Sequence, residues 1–136
     1  MTDFQTIADD IAFLDDWEER YKYIIDLGRT LEPLSEAEHS DANKVRGCAS
    51  QVWLVFDETE PDRITFRGDS DAHIVKGLIA LLHGLYNGKS ASDVLAIDAP
   101  AALGTIDLQD HITPQRSNGL TAMIARIRAA AARQDG

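Results

Sequence analysis

A single cysteine among 136 residues rules out an internal disulfide, and it removes the set of thiolates that an iron–sulfur cluster or a structural zinc site usually requires. The four histidines, His39, His73, His83 and His111, are scattered with no short ligand spacing, so no metal site is expected. Cationic side chains are also few. Thirteen Lys and Arg stand against 23 Asp and Glu, a formal charge of -10 that repels phosphate backbones and anionic lipid headgroups alike. Nucleic acid and membrane surfaces are therefore not expected partners, and any single carboxylate reads first as part of a solvated face. No apolar run reaches membrane-spanning length, and the opening MTDFQTIADDIAFL has no basic stretch ahead of an apolar one. The expectation is a cytoplasmic protein.

Within those limits the composition is that of one globular domain, residues 1–136, with 44% hydrophobic residues. A chain this long buries roughly two thirds of its unfolded surface, enough to dispense with a metal or disulfide staple. There is no internal repeat and no low-complexity tract. Phe4, Ile7, Ile11 and Leu14 recur at helical spacing behind a cap at Thr2 or Asp3. A second helical stretch carries Trp17, Tyr21, Ile24 and Leu27 to a stop at Gly28; the two can be separate helices or one kinked one. Leu34 to Asn43 follows Pro33 and reads as a polar surface connection. Then the pattern changes. A short strand near Val45, a turn at Gly47-Cys48, a strand over Val52–Phe56, a turn at Glu58–Asp62 around Pro61, and an alternating strand over Arg63–Arg67 make an antiparallel meander. Ser70 is placed to cap a helix with a wide apolar face (Ile74, Val75, Leu78, Ile79, Leu82, Leu85) that ends near Gly88. Ser90–Asp93 has the form of a capping box, a short helix follows Pro100, and a last helix begins at Ser117 or Asn118. The predicted architecture is α+β, helices packed against a small antiparallel sheet.

Cys48 is the residue that chemistry singles out. A lone intracellular cysteine is often just a small buried hydrophobe. Here it follows Gly47, which opens backbone angles closed to other residues, and Lys44 and Arg46 lie near enough in sequence to favour a thiolate if they point towards it. On a strand those two share one face and need not do so. Arg116 precedes the last predicted helix and reads equally as a surface ion pair or as a charge that stabilises a sulfur anion. Asp71 and His73 open the central helix: Asp71 as dipole compensation or a docking group beside the cysteine loop, His73 as a solvated or capping histidine. Trp17, Tyr21 and Trp53 read as core aromatics.

The stretch Lys44-Val45-Arg46-Gly47-Cys48-Ala49-Ser50-Gln51-Val52-Trp53 resembles the active-cysteine motif of the SufE family, the sulfur-acceptor partners of cysteine desulfurases in iron–sulfur cluster assembly. Three further blocks agree in order: Asp16 to Gly28 (DWEERYKYIIDLG), Phe66 to Ala72 with Ile74 to Leu78, and Arg116 to Leu120 (RSNGL). Together they span nearly the whole chain. The resemblance implies a fold similar to the IscU-type cluster scaffolds, which need several cysteine ligands where this chain has one. It implies that Cys48 takes the terminal sulfur of a desulfurase persulfide and hands it to an iron–sulfur scaffold complex, and that the cysteine loop is sheltered until the partner binds; Gly47, Arg116, Asp71 and His73 are the candidates to support the site or the docking. The pyridoxal phosphate chemistry would belong to that partner, SufS-like or CsdA-like, and no cofactor is expected here. SufE and its paralogue CsdE share these motifs, so the resemblance does not choose between them. A monomer or a weak homodimer is consistent with it.

Two other readings come from other classes. A stand-alone thiol enzyme would use Cys48 with an orienting base or a resolving thiol, and the sequence shows neither pattern. A non-catalytic interaction domain would leave the cysteine incidental.

Overall fold

Two aspartates place the first two helices. In the computed structural model, which describes residues 3–48, 50–57 and 62–135, Asp3 Oδ1 accepts the Thr6 N–H at 2.9 Å and caps α1 (Phe4–Ala12). Asp16 Oδ1 accepts the Glu19 N–H at 2.8 Å and caps α2 (Trp17–Gly28). Each carboxylate satisfies a donor that the helix leaves without a partner, and the result is two helices rather than one kinked one. Thr2, the alternative cap, lies outside the described residues. Phe4, Ile7 and Ile11 are buried, as their spacing predicts.

Gly28 plays a different part from the one expected. The cap after it, Arg29, keeps right-handed angles, so no left-handed stop is needed. What requires a glycine is α3 (His73–Tyr86): a Cβ at Gly28 would lie 2.7 Å from the backbone nitrogen of Gly77. The pair lets the two helices approach backbone to backbone.

β1 (Val52–Asp57) and β2 (Thr65–Ser70) form an antiparallel hairpin with Val52 opposite Ser70 and Asp57 opposite Thr65. The expected strand over Arg63–Arg67 is displaced towards the C-terminus. Ile64 leaves the hairpin to pair with Lys89, while β2 continues through Gly68. A glycine in a strand normally weakens it; here a Cβ would meet Ile79 Cγ2 at 2.7 Å, so the bare backbone is what lets β2 lie on α3. The short strand near Val45 shrinks to a single bridge, Lys44 with Trp53, flanked by Val45 N–H to Val52 O at 2.8 Å and Leu54 N–H to Asn43 O at 2.9 Å. Of the turn expected at Glu58–Asp62, residues 58–61 lie outside the described ones.

The central helix is more enclosed than its wide apolar face implies. Every residue of α3 except His73 and Lys76 is buried, because α1, α2, β2 and α6 (Pro114–Asp135) all pack on it. Ser70 does not cap it. Its hydroxyl donates to Gln51 O at 2.7 Å and accepts the Ala72 N–H at 3.2 Å, which closes the end of the hairpin; the N-cap position falls on Ala72 with no side-chain bond. Ser90 does cap α4 (Ala91–Ala96), and Asp98 caps α5 (Ala99–Gly104), each by accepting the N–H three residues on. A 3-10 turn over Leu108–Asp110 leads to α6. That helix starts at Pro114, earlier than Ser117 or Asn118: Thr113 Oγ1 accepts the Arg116 N–H at 3.3 Å, and proline suits the first helical position because its missing N–H would have no partner there. The architecture is α+β, a small antiparallel sheet with helices packed against it.

Residues 35–43, read as a plain surface connection, form a strap over the outer sheet face that carries Trp53, Arg67 and Asp69. Arg67 donates from Nη1 (3.0 Å) and Nη2 to the two carboxylate oxygens of Glu38, and this holds the Glu38 carboxyl down at about 2. His39 Nε2 lies 2.7 Å from Asp69 Oδ2 and Nδ1 lies 2.8 Å from the Ser35 carbonyl. Both neighbours are acceptors, so the ring is satisfied fully only when both nitrogens carry protons. The Asp69 hydrogen bond accordingly pushes the His39 pKa above its ordinary value.

Candidate functional site

Gly47 adopts φ +88°, a left-handed angle that costs glycine little and other residues more, and the turn it makes presents Cys48 inward. The thiol is half-buried. Its Sγ donates a weak hydrogen bond to the Gly119 carbonyl at 3.7 Å. Beneath it is a cavity of about 20 Å³ with Val75, Leu78 and Met123 as apolar walls and Arg116 and Gly119 at its α6 side. That is room for one water-sized body. A cleft of about 560 Å³ elsewhere, lined by Ile7, Leu31, Phe66 and His83 among others, shares no residue with it.

The electrostatics answer what the sequence left open about Lys44 and Arg46. Burial pushes the Cys48 thiol up from its ordinary pKa, with no cationic contribution against it. Arg46 is exposed, and Lys44 meets α6 through its carbonyl, which accepts from Arg126 Nη1 at 3.2 Å. Neither charge contributes at the thiol, which rests in its protonated, weakly reactive form.

The structure gathers some of the other expected residues around this loop. Asp71 Oδ1 accepts the Gln51 N–H at 3.0 Å, and the Asp71 N–H returns to Gln51 O at 3.3 Å. It therefore clamps the exit of the cysteine loop, and it stands two places outside α3 rather than in its first turn. Arg116 lines the cavity, but from inside the first turn of α6 and not ahead of the helix, and its Nη1 donates to Tyr21 Oη at 3.1 Å. His73 begins α3 with its side chain exposed and is not among the cavity residues.

Three participants escaped the sequence reading. Gly119 supplies both the carbonyl and the space, Arg126 grips Ala42 O (2.9 Å) and Lys44 O at the loop's entry, and Tyr21 holds Arg116. Trp17 and Tyr21 are only half-buried. Trp17 stacks on His111 at 4.0 Å between ring centroids, and Trp53 meets His39 edge-on at 4.7 Å. The sequence carried a signal for Gly119, within the RSNGL block, and for Tyr21, within the block from Asp16 to Gly28, though Tyr21 was read there as a core aromatic and not as a partner of Arg116.

Among the described residues, no group of three His, Cys, Asp or Glu side chains is placed to hold a metal ion, and no helix is long and apolar enough to cross a membrane. Among the described residues, no histidine lines the thiol cavity.

The family model for SufE, described as an Fe-S metabolism associated domain, matches residues 5–131. The chain belongs to the SufE family. That membership places it in Fe–S metabolism. An uncharacterized SufE-like protein of Rhizobium meliloti (strain 1021) is 49% identical over 134 residues, covering 96% of each chain. Another, from Rhizobium etli, is 49% identical over 131 residues, 94% of this chain and 88% of its own. A solution structure of a hypothetical protein from Thermus thermophilus superposes with a TM-score of 0.77 across 98% of both chains at 20% identity, and so shares the fold of this SufE-family chain.

Proposed function

We propose that the chain is the sulfur acceptor and activator of a pyridoxal-phosphate-dependent cysteine desulfurase, with Cys48 as the carrier. The observation that carries this reading is a lone thiol, kept protonated by burial, over a cavity the size of one atom. Such a thiol is a poor free nucleophile and is sheltered from oxidation. Docking of a SufS-like or CsdA-like partner would draw the loop out, let Cys48 ionise and bring it to the partner's persulfide. In the exchange, a bond forms between Cys48 Sγ and the terminal sulfur of the partner's persulfide anion, and the old S–S bond breaks. The Cys48 proton ends on the departing partner thiol, so charge and atoms balance. The loop then folds back with the added sulfur in the cavity until an iron–sulfur scaffold complex takes it.

The clamps at the loop's two ends support this reading. Arg126 holds the entry, Asp71 and Ser70 hold the exit, and Cys48 between them makes the weak Sγ bond to Gly119 O and packs against the core. Residues 1–136 act here as one domain in the cytoplasm. The test is to incubate the protein with desulfurase and free cysteine and to follow intact mass for wild type and Cys48→Ser. One added sulfur on the wild type alone is expected; none on the wild type would overturn the reading.

A further inference from the structure

We infer that Tyr21 is a positioning residue: it holds the Arg116 guanidinium at the cavity beneath Cys48, where that charge meets the terminal sulfur of a Cys48 persulfide. The inference rests on the sulfur-carrier reading.

Two observations pull against each other until the loaded state is considered. Arg116 lines the same cavity as Cys48, yet burial alone governs the resting thiol. The resting sulfur is neutral and donates to Gly119 O, so there is no anion for the arginine to meet. Loading changes both facts. The inner sulfur loses its hydrogen, and the negative charge moves one bond further, to a terminal sulfur that occupies the cavity. In that apolar space an anion without a partner is costly, and Arg116 is the cationic side chain on the wall.

An arginine side chain is long and flexible, so where its charge sits depends on what holds it. Tyr21 Oη accepts from Arg116 Nη1 at 3.1 Å and comes from α2, 95 residues away in the chain. A tyrosine ring has few rotatable bonds, and this one packs against the core. One helical turn earlier on α2, Trp17 stacks on His111, with the rings 16° apart. The segment entering α6 is thus fastened to α2 at two successive levels, an aromatic stack and then the Tyr21–Arg116 hydrogen bond. Through these, α2 determines where the guanidinium lies.

The test loads Cys48 with inorganic polysulfide, without desulfurase: the Cys48 thiolate bonds to a terminal sulfur of the polysulfide, and a polysulfide dianion one sulfur shorter departs. The pH dependence of persulfide alkylation by iodoacetamide then reports the terminal sulfur's ionisation. Tyr21→Phe should move its midpoint up by about one unit, a tenfold loss of anion stabilisation. Arg116→Ala should move it at least as far, and Tyr21→Phe added to Arg116→Ala should add nothing. The unloaded thiol's profile and the thermal midpoint should stay as in wild type. A Tyr21→Phe profile that coincides with wild type, an additive double variant, or an equal shift in the unloaded thiol overturns the inference. A parallel desulfurase-loading arm on the wild type separates this outcome from failure of the carrier reading itself.

Discussion

Cys48 Sγ lies 3.7 Å from the carbonyl oxygen of Gly119, 71 residues further along the chain. Gly119 has no side chain to come between them, and a Cβ built on it would stand 3.5 Å from that sulfur. This is ordinary contact, so Gly119→Ala should fold. Its methyl would nevertheless take up most of a cavity of about 20 Å³. The fraction of Cys48 holding one added sulfur after loading should fall about tenfold, ~1.4 kcal/mol, while alkylation of the unloaded thiol changes little. Wild-type loading would show that the sulfur does not rest in that cavity.

Asp71 is exposed, so its removal should cost the fold only about 0.5–1.5 kcal/mol, the usual net worth of one hydrogen bond. Its effect on the loop should be larger. Asp71→Ala frees the Gln51 N–H and leaves the exit to the Ser70 hydroxyl and the residue 71 N–H, both on Gln51 O, so iodoacetamide should reach Cys48 several-fold faster. An unchanged alkylation rate would remove Asp71 from the control of the loop.

The strap over the sheet should respond to pH at two points. His39 has its pKa raised by Asp69, so its contribution is full below the ordinary value of 6.5 and fades as pH rises through the folded value above it. Glu38 has its pKa lowered by Arg67 from 4.5 to about 2, so its contribution is full above 4.5 and is lost as pH falls towards 2. Urea midpoints of wild type and His39→Gln should therefore differ at pH 6 and converge in alkaline buffer, and those of wild type and Glu38→Gln should differ at neutral pH and converge in acid. Gaps that stay constant with pH would mean the strap is held by something else.

Gly77 and Gly104 make a matched pair. A Cβ at Gly77 would run into the Ile24 carbonyl oxygen, backbone that has nowhere to move, whereas one at Gly104 meets nothing within 4 Å. Gly77→Ala should cost about 3 kcal/mol or more by overpacking, and Gly104→Ala should be neutral or stabilising by roughly 0.5 kcal/mol. Chemical denaturation of the two variants checks both.

The helices with one apolar stripe were legible because periodicity and a capping side chain are local signals, as at Asp3 with Ile7 and Ile11, or Ser90 before α4. The misplacements have local causes too. Thr113-Pro114 was passed over in favour of Ser117, and Gly68-Asp69 has poor strand propensity, which the close approach of Ile79 overrides. The strap could not be read at all, since Glu38 and His39 find their partners 29 and 30 residues away.

What the sequence determined by itself is the chemistry available: one thiol, no disulfide, and a glycine ahead of the thiol to turn it. Residue identity and immediate neighbours suffice for that. How reactive the thiol is belongs to the tertiary structure alone. Lys44 and Arg46, adjacent in sequence, leave Cys48 unaffected, while Gly119 and Arg116 from α6 form its surroundings and Tyr21 from α2 holds Arg116 there. Burial and electrostatic contact depend on distance in space, and only the packing of α2, α3 and α6 around the loop sets those distances.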